Sequence, residues 1–250
     1  MQNTIFLYGQ PGYGKTTLAA TFPKPLLHLC FDPASKARPM HSGEIVEHDD
    51  LGMGVPGLLS QSGVQTELCG KIAHTQGFPV KLRKRLCRVE GHWKTVVIDS
   101  CTTLGYLWRY WNEEFTRNKD NEKLKDPRKH YGYATEQFDW IFNIAMGRIP
   151  AKYIIVIAHM TPVKDEKTGE ISEGRAKIGK ELLCVPHLPG KLSVTAGSVF
   201  SEVWRMYVDK QKGERFYRVQ TQPDGFYLAH TSTDAPNGVE ANFSEFGGLI

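Results

Sequence analysis

The stretch "LYGQPGYGKTTLAATFP", residues 7–23, decides the fold. A strand-like run, "NTIFLYG", ends at Gly9; Gly14, Lys15 and Thr16 follow after four residues, and a helical pattern opens behind them. Strand, glycine-rich turn and helix in that order are the context in which Gly-x(4)-Gly-Lys-Thr is a phosphate cradle. The chemistry demands close backbone approach. Glycines at 9, 12 and 14 let the chain curl until successive N–H groups face phosphate oxygens, while Lys15 neutralises the β and γ oxygens and Thr16 offers a hydroxyl to Mg²⁺. The expected nucleotide-binding set is therefore Gly9, Gly12, Tyr13, Gly14, Lys15, Thr16 and Thr17, and the expected cofactors are ATP and Mg²⁺.

A cradle of this kind needs an acid at the end of a second apolar strand to hold the metal's water, and "TVVIDS" supplies Asp99. Thr16 and Asp99 form the expected metal pair. The next residue is Ser100, not a second acid, so the hydrolytic base must come from elsewhere. Asp32, closing "LLHLCFD", is the acid nearest a strand end, with Glu44 and Glu47 further on; a short acid there reads equally as a turn or capping residue. His159 ends "YIIVIAH", where a polar side chain can sense the γ-phosphate, because sites in open α/β sheets lie at the carboxyl ends of strands. Lys15, Asp32, Asp99 and His159 are the candidate catalytic residues.

Length and composition bound the rest. The 250 residues, with 23% charged and 40% hydrophobic, suit one soluble domain. No apolar run approaches the ~20 residues of a membrane span, so no membrane role is expected and the cytoplasm is the expected location. Five widely spaced cysteines fit reduced thiols better than a disulfide framework. The net charge of +4 permits an anionic partner without requiring one. Two basic runs stand out, "KLRKRLCR" at 81–88 and "RNKDNEKLKDPRKH" at 117–130, which read either as solvated faces or as nucleic-acid contacts.

β-rich apolar runs alternating with helical patterns predict an α/β fold, a mostly parallel sheet covered on both faces. After Asp99, Leu104, Leu107, Trp108, Trp111 and Phe115 share one helical face; Phe138, Ile141, Phe142 and Ala145 share another. Both are core faces, leaving Tyr106, Tyr110 and Trp140 loose enough to stack on bases. Residues 48–92 read as an insertion or mobile loop, residues 161–197 as a hairpin and glycine-punctuated loop, and three late strands as an antiparallel extension of the sheet. Cys69, His74, Cys87 and His92 are spaced like a zinc set, although structural zinc usually has tighter cysteine pairing.

With "YGQPGYGKTTLAATFPKPLL", "WKTVVIDSCTTL", "YIIVIAHM" and the late "PHLPGKL", "FSEVWRM" and "YRVQTQPDGFYLA" in hand, the chain resembles the phage-encoded RecA-like ATP-binding proteins of the single-strand-annealing recombinase group. The resemblance spans most of residues 1–250 and omits 48–92. It implies a RecA-like P-loop NTPase core with antiparallel C-terminal strands, ATP and Mg²⁺, a homo-oligomer, single-stranded DNA as partner, a companion single-strand-binding protein and the host cytoplasm as location. It also implies that the loops after Asp99's strand and after His159 meet DNA, the second through Lys164, Lys167, Arg175, Lys177 and Lys180. Two departures matter. The family's Asp-x-Glu after the second strand is Asp32 followed by Ala34, and its late lysine–arginine pair is replaced by His230 and Ser232. Both losses point to slow hydrolysis. A nucleotide kinase and a replication or packaging ATPase are the alternatives that share the cradle.

Overall fold

Strands without polar alternation are buried on both faces, and this chain supplies four of them for the centre of one sheet. The computed structural model describes residues 2–32, 45–47, 63–70, 76–89, 91–115, 127–160, 162–164, 171–173, 175–178, 181–224 and 227–247. The central strands are β1 (Asn3–Gly9), β2 (Leu26–Cys30), β5 (Thr95–Asp99) and β6 (Tyr153–His159). β3 (Ile45–Glu47) and β4 (Val64–Leu68) extend the sheet beyond β2. Beyond β1 lie β11 (Glu202–Gln211), β12 (Glu214–Gln220), β13 (His230–Thr231) and β14 (Val239–Glu240). The order is β3–β4–β2–β5–β6–β1–β11–β12–β14, with β13 also on β11.

This order places β6 between the cradle strand β1 and the Asp99 strand β5, the arrangement of a RecA-like P-loop core. Register then assembles the site. Gly9 pairs with His159, and Asp99 lies between Ile157 of β6 and Cys30 of β2, so all four strands end on one line.

Alternate side chains of these strands feed two cores. Phe6, Tyr8, Ile98 and Val156 face α2 (Phe78–Cys87), α3 (Cys101–Phe115) and α4 (Pro127–Trp140), where Trp108, Phe138 and Phe142 pack. Ile5, Leu7, Val97 and Ile157 face α1 (Lys15–Ala20), Phe22 and the C-terminal Phe246. α4 runs on through a π-helical turn at Ile141–Ala145 and a 3₁₀ turn at Met146–Arg148. The two predicted helical faces are thus core, although Leu107 and Trp111 only border it and Phe115 is exposed.

Three expectations change. Within 48–92, expected to be an insertion or a mobile loop, a mobile loop does not describe two stretches: Val64–Leu68 is a buried sheet strand and Phe78–Cys87 a helix packed on the core. The misleading signal is polar: β4 reads "VQTEL", yet its Glu67 is fully buried by Arg85 of α2. The C-terminal extension is not wholly antiparallel, because β11 runs parallel to β1 before β12 reverses beside it. Among the described residues of "GFYLAHTS", 227–232, the strand β13 covers His230–Thr231.

After β6 the chain forms two antiparallel pairs, β7 (Pro162–Lys164) with β8 (Ile171–Glu173) and β9 (Arg175–Ile178) with β10 (Glu181–Cys184). Lys164 lies on β7, and Arg175 and Lys177 on β9; Lys167 and Lys180 fall outside the described residues. Among the described residues no helix is long and apolar enough to cross a membrane.

Candidate functional site: a nucleotide cleft

The cradle turns where only glycine turns cheaply. Gly14 caps α1 at φ +78°, and a Cβ on Gly9 would sit 2.5 Å from the Met206 carbonyl oxygen of β11. β11 is therefore pressed against the loop from behind. Lys15 is nearly buried, and its Nζ donates to the Gly9 and Gln10 carbonyls, both at 2.8 Å. An ammonium has three donors on a flexible stem, so phosphate oxygens can replace these two acceptors without moving the backbone.

Across the floor, the Thr16 hydroxyl donates to Asp99 Oδ2 at 2.7 Å. A hydroxyl beside a carboxylate is the hard-oxygen donor pair that Mg²⁺ takes while keeping its own waters. These residues fit the ion, and the cradle beside them fits a nucleotide's phosphates. Thr16 would ligate the metal and Asp99 would hold its water; Mg²⁺ supplies charge neutralisation for the phosphates. His28 of β2 steadies Asp99, its Nε2 lying 3.3 Å from Oδ2 while Nδ1 meets Thr66 Oγ1 at 3.2 Å. The carboxylate only accepts, so Nε2 carries the proton. We expect Asp99→Asn to keep the fold and to lose about 10- to 100-fold in Mg²⁺-dependent ATP affinity, the range for an outer-shell metal partner. Titration of a fluorescent ATP analogue with and without Mg²⁺ checks this, and an unchanged metal dependence would remove Asp99 from the site.

Asp32 sits in the same cleft, nearly buried, but its carboxylate is engaged. Oδ1 accepts from Ser100 Oγ at 3.0 Å and from the Thr103 hydroxyl, while Oδ2 faces His159 Nε2 at 3.8 Å. His159, a fifth exposed, is anchored through its main chain, whose N–H donates to Thr102 Oγ1 at 2.9 Å. The four candidate catalytic residues thus line one cleft of about 780 Å³, with Gly12, Gly14, Thr16 and Thr17. Tyr13 is half-buried and packs against the α1-side core.

The opposite wall is not legible in the sequence. Arg215, Phe216, Tyr217 and Arg218 of β12, with Glu240 and Ala241, complete the cleft. A Cβ on Gly14 would lie 3.2 Å from the Tyr217 ring, so that ring covers the cradle. His230 and Ser232, which stand where the late cationic pair is expected, do not reach it. Ser232 donates to Glu202 and His230 pairs across β11. The cations present in the cleft come instead from the hairpin before them.

The zinc spacing finds no support in the described residues, among which no three metal-ligating side chains gather. Cys69 is fully buried, its thiol donating to the Glu67 carbonyl at 3.4 Å; burial, then the Glu67 charge, push its pKa well above the usual thiol value. Cys87 is exposed, His92 packs on Trp93, and His74 lies outside the described residues.

Solved structures similar to this chain include a KaiC-like protein from Pyrococcus horikoshii OT3, at 16% identity and TM-score 0.44, covering 87% of this chain and 78% of that one. Flagellar accessory protein FlaH from Methanocaldococcus jannaschii is 11% identical, with TM-score 0.43, over 92% and 79%. The RadB recombinase is 14% identical, with TM-score 0.41, over 95% and 84%. TM-scores below 0.5 leave the fold resting on the strand order itself. No curated protein sequence matches the chain. The family model described as an AAA domain matches residues 1–226, nearly the whole length, and the chain belongs to that family, AAA_24.

Proposed function

We propose that this chain binds ATP with Mg²⁺ and acts in phage DNA recombination or single-strand annealing, engaging single-stranded DNA as a homo-oligomer in a nucleotide-dependent way. A single-strand-binding protein would work beside it in the host cytoplasm. The supporting observation is the convergence of Lys15, the Thr16–Asp99 pair, Asp32 and His159 at the carboxyl ends of neighbouring strands, two of them β1 and β6 paired through Gly9 and His159. The resemblance carried by the late "PHLPGKL" and "QTQPDG" blocks supplies the DNA partner.

In this reading ATP is a switch more than a fuel. A general base must reach the attacking water with a free lone pair. Asp32 already accepts from two hydroxyls beside His159, and no second acid follows Asp99. Slow turnover follows, and nucleotide occupancy becomes the signal.

Fluorescence anisotropy with labelled single- and double-stranded oligonucleotides, with and without ATP and Mg²⁺, tests the proposal. Single strands are expected to bind more tightly than duplex, and ATP to change that affinity. No binding at low salt, where phosphate contacts are strongest, would sink it. Turnover stimulated by a nucleoside acceptor instead of DNA would favour the kinase, and stimulation by duplex alone the packaging motor.

A further inference from the structure

Helix α3 turns an unusual face to solvent. Tyr106, Arg109 and Tyr110 follow at three- and four-residue spacing, which puts them on one side. Among the described residues seven large hydrophobic side chains are exposed, and three of them, Tyr106, Tyr110 and Tyr131 of α4, belong to this region. The Arg109 guanidinium lies 3.8 Å from the Tyr131 ring centre and 5.9 Å from that of Tyr106. Both are within cation–π range. Among the described residues no carboxylate pairs with Arg109 or with the exposed Lys129, two positions before Tyr131.

His187 closes the cluster. Its ring stands edge-on to Tyr106 at 5.6 Å, with Nε2 3.3 Å from the tyrosine hydroxyl. Burial, and then the charges of His159 and Arg109, lower the His187 pKa below the ordinary histidine value. The hydrogen bond between its Nε2 and the Tyr106 hydroxyl fixes the tyrosine ring against His187. The His187 main chain meets the nucleotide cleft, its N–H donating to the His159 carbonyl at 2.6 Å and its carbonyl accepting from Thr102 Oγ1 at 3.0 Å.

We propose that Tyr106, Arg109 and Tyr131 form a platform for single-stranded DNA, the tyrosine rings stacking unpaired bases and Arg109 meeting a phosphate. The inference rests on the DNA reading above and adds the surface, which differs from the basic loop after His159. Exposed rings interleaved with a cation that no carboxylate among the described residues neutralises suit a strand whose bases are splayed and whose backbone is anionic. An aliphatic peptide needs no such charge, and duplex offers no free base faces. The platform's tie to His159 places it where nucleotide occupancy can be felt.

The test compares the wild-type chain with Tyr106→Ala, Tyr131→Ala and the double variant, using a fluorescein-labelled thymidine oligonucleotide. Stacking on an aromatic ring predicts a loss of about fivefold or more for each ring removed. The slope of log affinity against log salt should stay unchanged, because no phosphate contact is lost. The phenylalanine variants keep the ring face and should bind within about twofold of wild type. Binding of a fluorescent ATP analogue and the unfolding temperature, read on the same samples, report whether each variant is folded; the ring-retaining variants carry the comparison if an alanine is not.

If wild type binds the strand and the alanine variants bind equally well, the platform is wrong and the DNA reading stands. If wild type binds no single strand, both fall. A change of oligomeric state without a change in DNA affinity would assign the surface to a second copy of this chain and overturn the proposal.

Discussion

Lys15→Ala is expected to lower ATP affinity by about 100-fold or more while leaving the protein folded. The side chain replaces two backbone acceptors with phosphate oxygens when nucleotide arrives, and hydrogen bonds to charged groups contribute about 1.5–3 kcal/mol each. Two such bonds set the scale of about 3 kcal/mol, which is at least 100-fold. The fold tolerates the loss because the carbonyls released are not orphaned. Gly9 O also accepts from Met160 N at 3.1 Å and Gln10 O from Tyr13 N at 3.3 Å. Calorimetric titration with ATP and Mg²⁺ measures the affinity, and thermal unfolding with and without ATP shows whether the ligand's stabilisation disappears. An affinity within threefold of wild type would mean that the cradle does not hold the phosphates through Lys15.

The legible half of the site is local. Gly9 to Thr17 declare themselves because every contact they make with phosphate is set within one turn, and Asp99 and His159 declare themselves as polar ends of apolar strands. The other half is made by pairing. β11 lies against β1, so β12 carries Arg215 to Arg218 over a cradle some 200 residues earlier in the chain. No spacing rule announces that. His28 is hidden for the opposite reason. It sits inside "LLHLC" like a core residue, and only the pairing of β2 with β5 shows that its ring reaches Asp99. Asp32 is correctly placed in the cleft by its strand, yet its hydroxyl partners Ser100 and Thr103 could be found only in three dimensions.

The basic run at 81–88 is where charge patterning most misleads, and Arg85→Leu is expected to show it by destabilising the protein about 3–5 kcal/mol. That corresponds to roughly 6–20 °C in unfolding temperature for a chain of this size. Arg85 is nearly buried, and its guanidinium grips the fully buried Glu67 through both oxygens, Nη2 at 2.6 Å and Nε at 2.9 Å. Gln65 adds a donor at 3.1 Å, but an amide cannot neutralise a carboxylate. Removing the arginine takes the bidentate guanidinium away from a fully buried carboxylate between β4 and α2, and the desolvation that the guanidinium offsets dominates the cost. A second residue of the run is also structural, since Arg83 lies over the Trp140 ring at 5.0 Å and donates to Gln137 at 2.9 Å. The double variant Glu67→Leu with Arg85→Leu removes both charges, so it should recover most of the loss, as buried ion pairs exchanged for apolar groups commonly do. A denaturant double-mutant cycle measures this. A single variant costing under about 1 kcal/mol would mean that Glu67 reaches water and that β4 is not the core strand described. β4 pairs with β2 on the side away from β5, and neither residue lines the cleft. ATP affinity should therefore stay unchanged in every corner of the cycle, which separates what this basic run does for the fold from what Lys15 does for the nucleotide.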